Sequence, residues 1–120
     1  MHHAAQAYGN VASKVATPRE LEANLLLKAA SQLQAIYDAW DSRKADLEAA
    51  LLFNRKLWLV FTSSVTEGGS ALPDAIRQNI ANLGIFVLKQ TMGLMTDPKR
   101  DELKSLVNIN RQIAQGLLGR

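Results

Sequence analysis

The chain has no cysteine, so disulfides, thiol catalysis and cysteine-ligated zinc are excluded together. A reducing compartment fits that absence. Histidine is nearly as scarce. His2 and His3 are the only two, adjacent at the amino terminus, where no ligand geometry is held. Ser63 and Ser64 therefore have no imidazole to activate them as nucleophiles. Glycines number seven and prolines three, and most fall where helix ends are expected. The pair Gly68-Gly69 fits neither a phosphate-binding loop nor a dinucleotide fingerprint. No apolar run approaches the roughly 18–20 residues a membrane span needs. The longest candidate, Ile80 to Met95, is interrupted by Asn82 and Lys89. Runs of one charge sign are also missing. The 14 basic and 11 acidic residues are scattered, seven against six in residues 1–60 and seven against five in residues 61–120. A net charge of +3 and a pI near 9.5 then say little about nucleic acid. The start, Met1-His2-His3-Ala4-Ala5, lacks the basic-then-apolar layout of a signal peptide, and a soluble cytoplasmic protein is expected.

What is present is globular composition. With 120 residues, 48% of them hydrophobic and 21% charged, the chain suits one folded domain over 1–120. Its organising stretch is the central one. Leu51, Asn54, Leu57, Trp58, Phe61 and Val65 recur at steps of three and four, which places them on one helical stripe. Trp58 and Phe61 are among the largest apolar groups available, so this stripe is expected at the centre of the core. Asn54 interrupts it, and Arg55 and Lys56 leave on its flanks.

Taken in order, residues 4–15 suit a short amino-terminal helix carrying Ala5, Tyr8, Val11, Ala12 and Val15, weakened by Gly9 and Asn10. It is expected to dock through Tyr8 or to fray. Thr17-Pro18-Arg19-Glu20 predicts a capped helix start, with Glu20 closing a capping box. That helix runs to about Trp40, with Leu26, Ala29, Leu33, Ile36, Tyr37 and Trp40 on one face. Leu21, Leu25 and Leu27 widen its apolar surface, so it is buried on two sides or keeps one side for a partner. Asp41-Ser42 breaks it, and the central helix follows from about Arg43 to Val65. Thr66-Glu67-Gly68-Gly69-Ser70 reads as a loop. Pro73 opens a third long helix whose core face is Ile76, Ile80, Leu83, Val87 and Leu94, with Gly84 admitting a close neighbour. Thr96-Asp97-Pro98 repeats the cap-then-proline pattern, and a last helix runs from about Pro98 to Leu118 on Leu103, Leu106, Val107, Asn110, Ile113 and Leu117. No period-two run bounded by turn signals is present. The expected fold is all-α, a compact bundle of four principal helices plus the short amino-terminal one.

The chemistry is thin. Asp38 with Asp41 and Asp46 with Glu48 are acidic pairs near helix ends, suited to dipole and solvent-facing charge rather than acid–base work. No catalytic, cofactor-binding or metal-binding residue is assigned, and a non-enzymatic binding module is expected. Surplus Leu, with Met92 and Met95, suits a surface that accepts amphipathic helices, although each such residue equally serves as plain core. An RNA patch is the other class, with Arg19, Arg55, Lys56 and Arg111 beside Trp58 or Tyr8 for stacking. A core Trp58 argues against it. Asn54-Arg55 and Asn110-Arg111 repeat one pattern. Either each Asn bonds the backbone of a neighbouring helix and fixes register, or the two meet at one polar spot that a partner completes.

An ordered set of segments resembles one family. These are Ala7-Tyr8, Thr17-Pro18-Arg19-Glu20-Leu21-Glu22-Ala23, Asn54-Arg55-Lys56-Leu57-Trp58 with Phe61, Leu72-Pro73, Ile80-Ala81-Asn82-Leu83 with Phe86-Val87, and Asn108-Ile109-Asn110-Arg111 with Ile113-Ala114 and Gly116-Leu117. Together they resemble FlaF, the small flagellar biosynthesis regulators of alphaproteobacteria, over nearly the whole chain. The resemblance implies a helical, non-enzymatic protein that promotes flagellin production with the companion regulator FlbT. It also implies binding of flagellin before export, as a secretion chaperone would. No cofactor is implied. Arg19, Asn54, Arg55, Asn110 and Arg111 are the expected partner-binding residues, because they intrude as polar groups on apolar helices. Pro18, Trp58, Phe61, Leu83 and Val87 are assigned to the scaffold. A direct RNA-binding regulator of flagellin translation and an adaptor that binds only other regulators stand as alternatives. Both a monomer and a homodimer are open.

Overall fold

Thr17 adopts an extended backbone and its hydroxyl accepts from the Glu20 N–H at 3.1 Å, while the Glu20 carboxylate accepts from the Thr17 N–H at 3.1 Å. Both halves of the expected capping box are thus formed, with Pro18 in the first turn. They start α1, Pro18–Asp38. The computed structural model describes residues 17–67 and 72–119. The expected amino-terminal helix with Tyr8, the two histidines and the centre of the glycine loop lie outside them.

After α1 comes the single turn α2, Trp40–Arg43, then a 3-10 turn, Lys44–Asp46. The long helices α3, Leu47–Thr66, and α4, Asp74–Thr96, follow. A second 3-10 turn, Arg100–Glu102, leads into α5, Leu103–Leu117. Among the described residues there are four long helices and no strand, so the chain is all-α. No described helix is long and apolar enough to cross a membrane.

Two boundaries differ from the sequence expectation. The break after α1 comes at Ala39, whose φ of −125° and ψ of 47° leave the helical region, and α3 starts at Leu47 rather than Arg43. The chain needs seven residues of short turns there to redirect itself, and Arg43 pairs with Asp46 across them at 3.1 Å. Nor does Thr96-Asp97-Pro98 cap α5. The Thr96 hydroxyl donates back to the Met92 carbonyl at 3.2 Å, finishing α4. Asp97, which precedes a proline, leaves the helical region with φ −137° and ψ 87°.

α1 and α5 are antiparallel. Arg100 Nε donates to the Tyr37 carbonyl at 2.9 Å and Asn110 Nδ2 reaches the Leu26 carbonyl at 3.4 Å, so advancing along one helix retreats along the other. α3 and α4 form a second antiparallel pair. Gly84 lies against Thr62, while Leu51 and Leu94 line one depression at the opposite end. A Cβ on Gly84 would sit 2.7 Å from the Thr62 hydroxyl, so the close approach expected there is real. α1 also packs on α3, whereas α4 rests chiefly on α3.

The whole central stripe, Leu51, Asn54, Leu57, Trp58, Phe61 and Val65, is buried. Trp58 meets Phe61 edge to face, with centroids 5.6 Å apart. From α1 come Ala23, Leu26, Ala29, Ala30, Leu33 and Ile36, and from α5 Leu103, Leu106, Val107 and Ala114. α4 contributes Ile80, Val87 and Leu94, with Leu83 half-buried. Ile76, expected in that face, is exposed, because the antiparallel pairing places it opposite a position beyond the end of α3.

Candidate partner-binding surface

The polar residues of the stripes divide into a buried set and an exposed set. Asn54 and Asn110 are wholly buried and meet, Asn110 Nδ2 donating to Asn54 Oδ1 at 2.7 Å. The Trp58 indole N–H donates to Asn110 Oδ1 at 2.8 Å. This node ties α3 to α5, and the 3.4 Å contact to the Leu26 carbonyl extends it to α1. Asn54 Nδ2 has no partner among the described residues. Each sequence alternative is therefore half realised. The two amides do meet, but inside the core, and one of them also reaches a neighbouring backbone. In this structure Asn54 and Asn110 are buried and present nothing to solvent, so neither can belong to an exposed contact surface.

Of the five expected contact residues, Arg19 is half-buried and paired with Glu22 at 2.9 Å. Arg55 and Arg111 are exposed. They separate cleanly from most other cations. Arg43 and Lys99 pair with Asp46 and Asp97, and Arg77 with Asp74. Lys28, Lys44 and Arg100 lie over the rings of Phe53, Trp40 and Tyr37. Lys104 lies 5.0 Å from the Tyr37 centroid, and its interaction with the Tyr37 hydroxyl holds its pKa above the ordinary value. Among the described residues, Arg55, Lys56, Lys89 and Arg111 have neither an ion pair nor an aromatic ring.

Arg55 and Lys56 share the outward side of α3 with Leu52, Leu59 and Val60, all exposed. Leu52, Arg55, Lys56 and Leu59 line one shallow depression, and Leu59, Val60, Ser63, Ser64 and Glu67 line another. These leucines were not singled out from sequence. The available signal was that they are large apolar residues on α3 that miss its stripe. On α1, Leu21 and Leu25 are exposed and Leu27 half-buried, so that helix keeps one apolar side open. Trp58 is wholly buried with its N–H committed, and no base can stack on it.

Among the described residues the surface holds no constellation of nucleophile and base. What it offers is open apolar side chains beside unpaired cations, which suits the binding of a polypeptide. No curated protein and no solved structure matches the chain. A family model, flagellar protein FlaF, matches residues 4–117. That span contains every described helix and the node that joins three of them, and the chain belongs to the FlaF flagellar protein family.

Proposed function

We propose that this protein is a non-enzymatic flagellar regulator that binds flagellin before export, as a secretion chaperone does, and promotes flagellin synthesis. Membership of the FlaF family carries the reading. The structure supports it with a helical scaffold that buries a core among the described residues while Leu21, Leu25, Leu52, Leu59, Val60 and Met92 stay exposed. Unpolymerised flagellin presents amphipathic segments that need an apolar cover until export, and an open helical surface supplies one. Arg55 and Arg111, exposed and without an ion pair among the described residues, are its polar contacts in this reading.

Size-exclusion chromatography with light scattering, on the protein alone and mixed with monomeric flagellin, tests this. A stable mixed complex is expected, weakened by charge reversal at Arg55 and Arg111. If the protein stays alone and ignores flagellin, the reading fails. Binding to FlbT in that event would make it an adaptor. The direct RNA reading has less support, because one of its two expected stacking groups, Trp58, is enclosed, and the other, Tyr8, lies outside the described residues.

A further inference from the structure

The outward faces of α3 and α4 carry the same pattern. On α3 it is Leu52, Lys56 and Leu59; on α4 it is Ile85, Lys89 and Met92. Each is an apolar residue, a lysine four positions on and an apolar residue seven positions on. Seven residues advance an α-helix about 10.5 Å and return nearly to the same azimuth. The four apolar side chains are 42%, 48%, 58% and 57% exposed in chain order, well above what a core position allows.

The helices align these two patterns. Gly84 against Thr62 and Leu94 beside Leu51 fix the antiparallel register. In that register Leu52 falls across from Met92, Lys56 from Lys89 and Leu59 from Ile85. The patterns also lie on the same side of the hairpin. Glu48 of α3 and Met95 of α4 line one shared depression, and Thr66 and Ala81 another. Measured around each helix at 100° per residue, those marker positions lie next to the residues of the pattern. The result is a trough about two turns long with four apolar corners. Its outer rims carry Lys56 and Lys89, and Arg55 lies between the helices. None of the three cations has an ion pair among the described residues.

We infer that the α3–α4 trough seats a single amphipathic helix whose apolar stripe is flanked by acidic residues. This inference rests on the flagellin-binding reading for its biological partner but not for its chemistry. Charge chooses the occupant. A second copy of this chain docked face to face would set lysine against lysine, a repulsion that disfavours it. RNA would meet leucine, isoleucine and methionine corners without an aromatic ring among them to stack on. An apolar stripe with acid on both flanks satisfies corners and rims together.

Two labelled 21-residue helical peptides with the same leucine stripe, one flanked by Glu and one by Lys, are titrated with the full chain by fluorescence anisotropy. The Glu peptide is expected to bind at least about tenfold more tightly, the preference shrinking as salt rises. The double variant Lys56→Glu/Lys89→Glu reverses the preference, a gain that misfolding cannot produce. Leu59→Lys weakens both peptides, and Lys99→Glu, at the far connection, changes neither. Equal binding of the two peptides, or an unreversed preference in the double variant, overturns the inference. So does a self-dimer that Leu59→Lys disperses, or RNA binding lost in the double variant. Monomeric flagellin is then tested on the same variants. Flagellin binding that ignores all of them overturns the trough and spares the flagellin reading. Peptide discrimination without any flagellin binding upholds the trough and removes that reading.

Discussion

Replacing Asn110 by Ala is expected to cost far more than replacing Asn54 by Ala, although the two amides touch and are equally buried. Asn110 is the hub of the node. Its loss strands the Trp58 indole N–H, bonded at 2.8 Å, and the Asn54 amide oxygen, bonded at 2.7 Å. A buried polar group left without a partner costs about 1–3 kcal/mol, so two cost about 2–6 kcal/mol. Domains of this kind have a total stability of only about 5–15 kcal/mol. Asn54→Ala strands one group, Asn110 Nδ2, which keeps its 3.4 Å contact to the Leu26 carbonyl. It also deletes Asn54 Nδ2, which has no partner to lose. Both variants remove the same atoms, so the cavity left behind largely cancels in the comparison. The difference should be about 1 kcal/mol or more. Urea unfolding followed by tryptophan fluorescence and far-ultraviolet circular dichroism measures both. A double-mutant cycle of Trp58→Phe with Asn110→Ala should show coupling above about 0.5 kcal/mol. Equal costs for the two alanine variants, or a larger cost at Asn54, would refute the assignment of the hub.

Other outcomes follow from single features. Gly84→Ala should destabilise the chain despite alanine's advantage in a helix of about 1 kcal/mol, because the new Cβ meets the Thr62 hydroxyl at 2.7 Å. In a Thr62→Ala background the same change should become stabilising, and thermal unfolding reads the change of sign. Thr17→Ala should lose about 1 kcal/mol through the broken capping box, with the loss seen as a lower urea midpoint. Tyr37→Phe should bring the Lys104 pKa down toward its ordinary 10.5, visible by NMR titration of the lysine. Because the folded pKa is the raised one, any stability from this contact is present at neutral pH and lost only as pH climbs through the alkaline folded value. A dependence near pH 7 would contradict that.

Much of this architecture was legible in the sequence because it is local. The spacing of Leu51 through Val65 fixes one face, and every residue named on it is buried. The capping box at Thr17 needs four consecutive residues and nothing else. The misses came where distant parts of the chain decide. Thr96 and Pro98 carry a good local signal for a helix start, yet Thr96 finds a better partner one turn back. Ile76 has the right spacing for the core of α4, but the neighbouring helix ends before reaching it. Asn54 and Asn110 are 56 positions apart, and no periodicity says that they face each other. The candidate surface was the least legible part. That Arg55 is exposed is legible from its place on the flank of the apolar stripe. Leu52 and Leu59 gain meaning only once α4 sets Ile85 and Met92 alongside them.

The way α4 is held has a consequence for the order in which the molecule comes apart. α1, α3 and α5 are laced together through Asn110, whereas α4 hangs chiefly on α3. Detaching α4 exposes the undersides of Ile80, Val87 and Leu94 and leaves the Trp58 node intact. The free energy of that opening lies below global unfolding, so the backbone amides of α4 should exchange with deuterium ahead of those in the laced trio. A helix lying along both α3 and α4 would fasten the least secured quarter of the fold. Its arrival should register first as slower exchange in α4, at positions it does not touch as well as those it does.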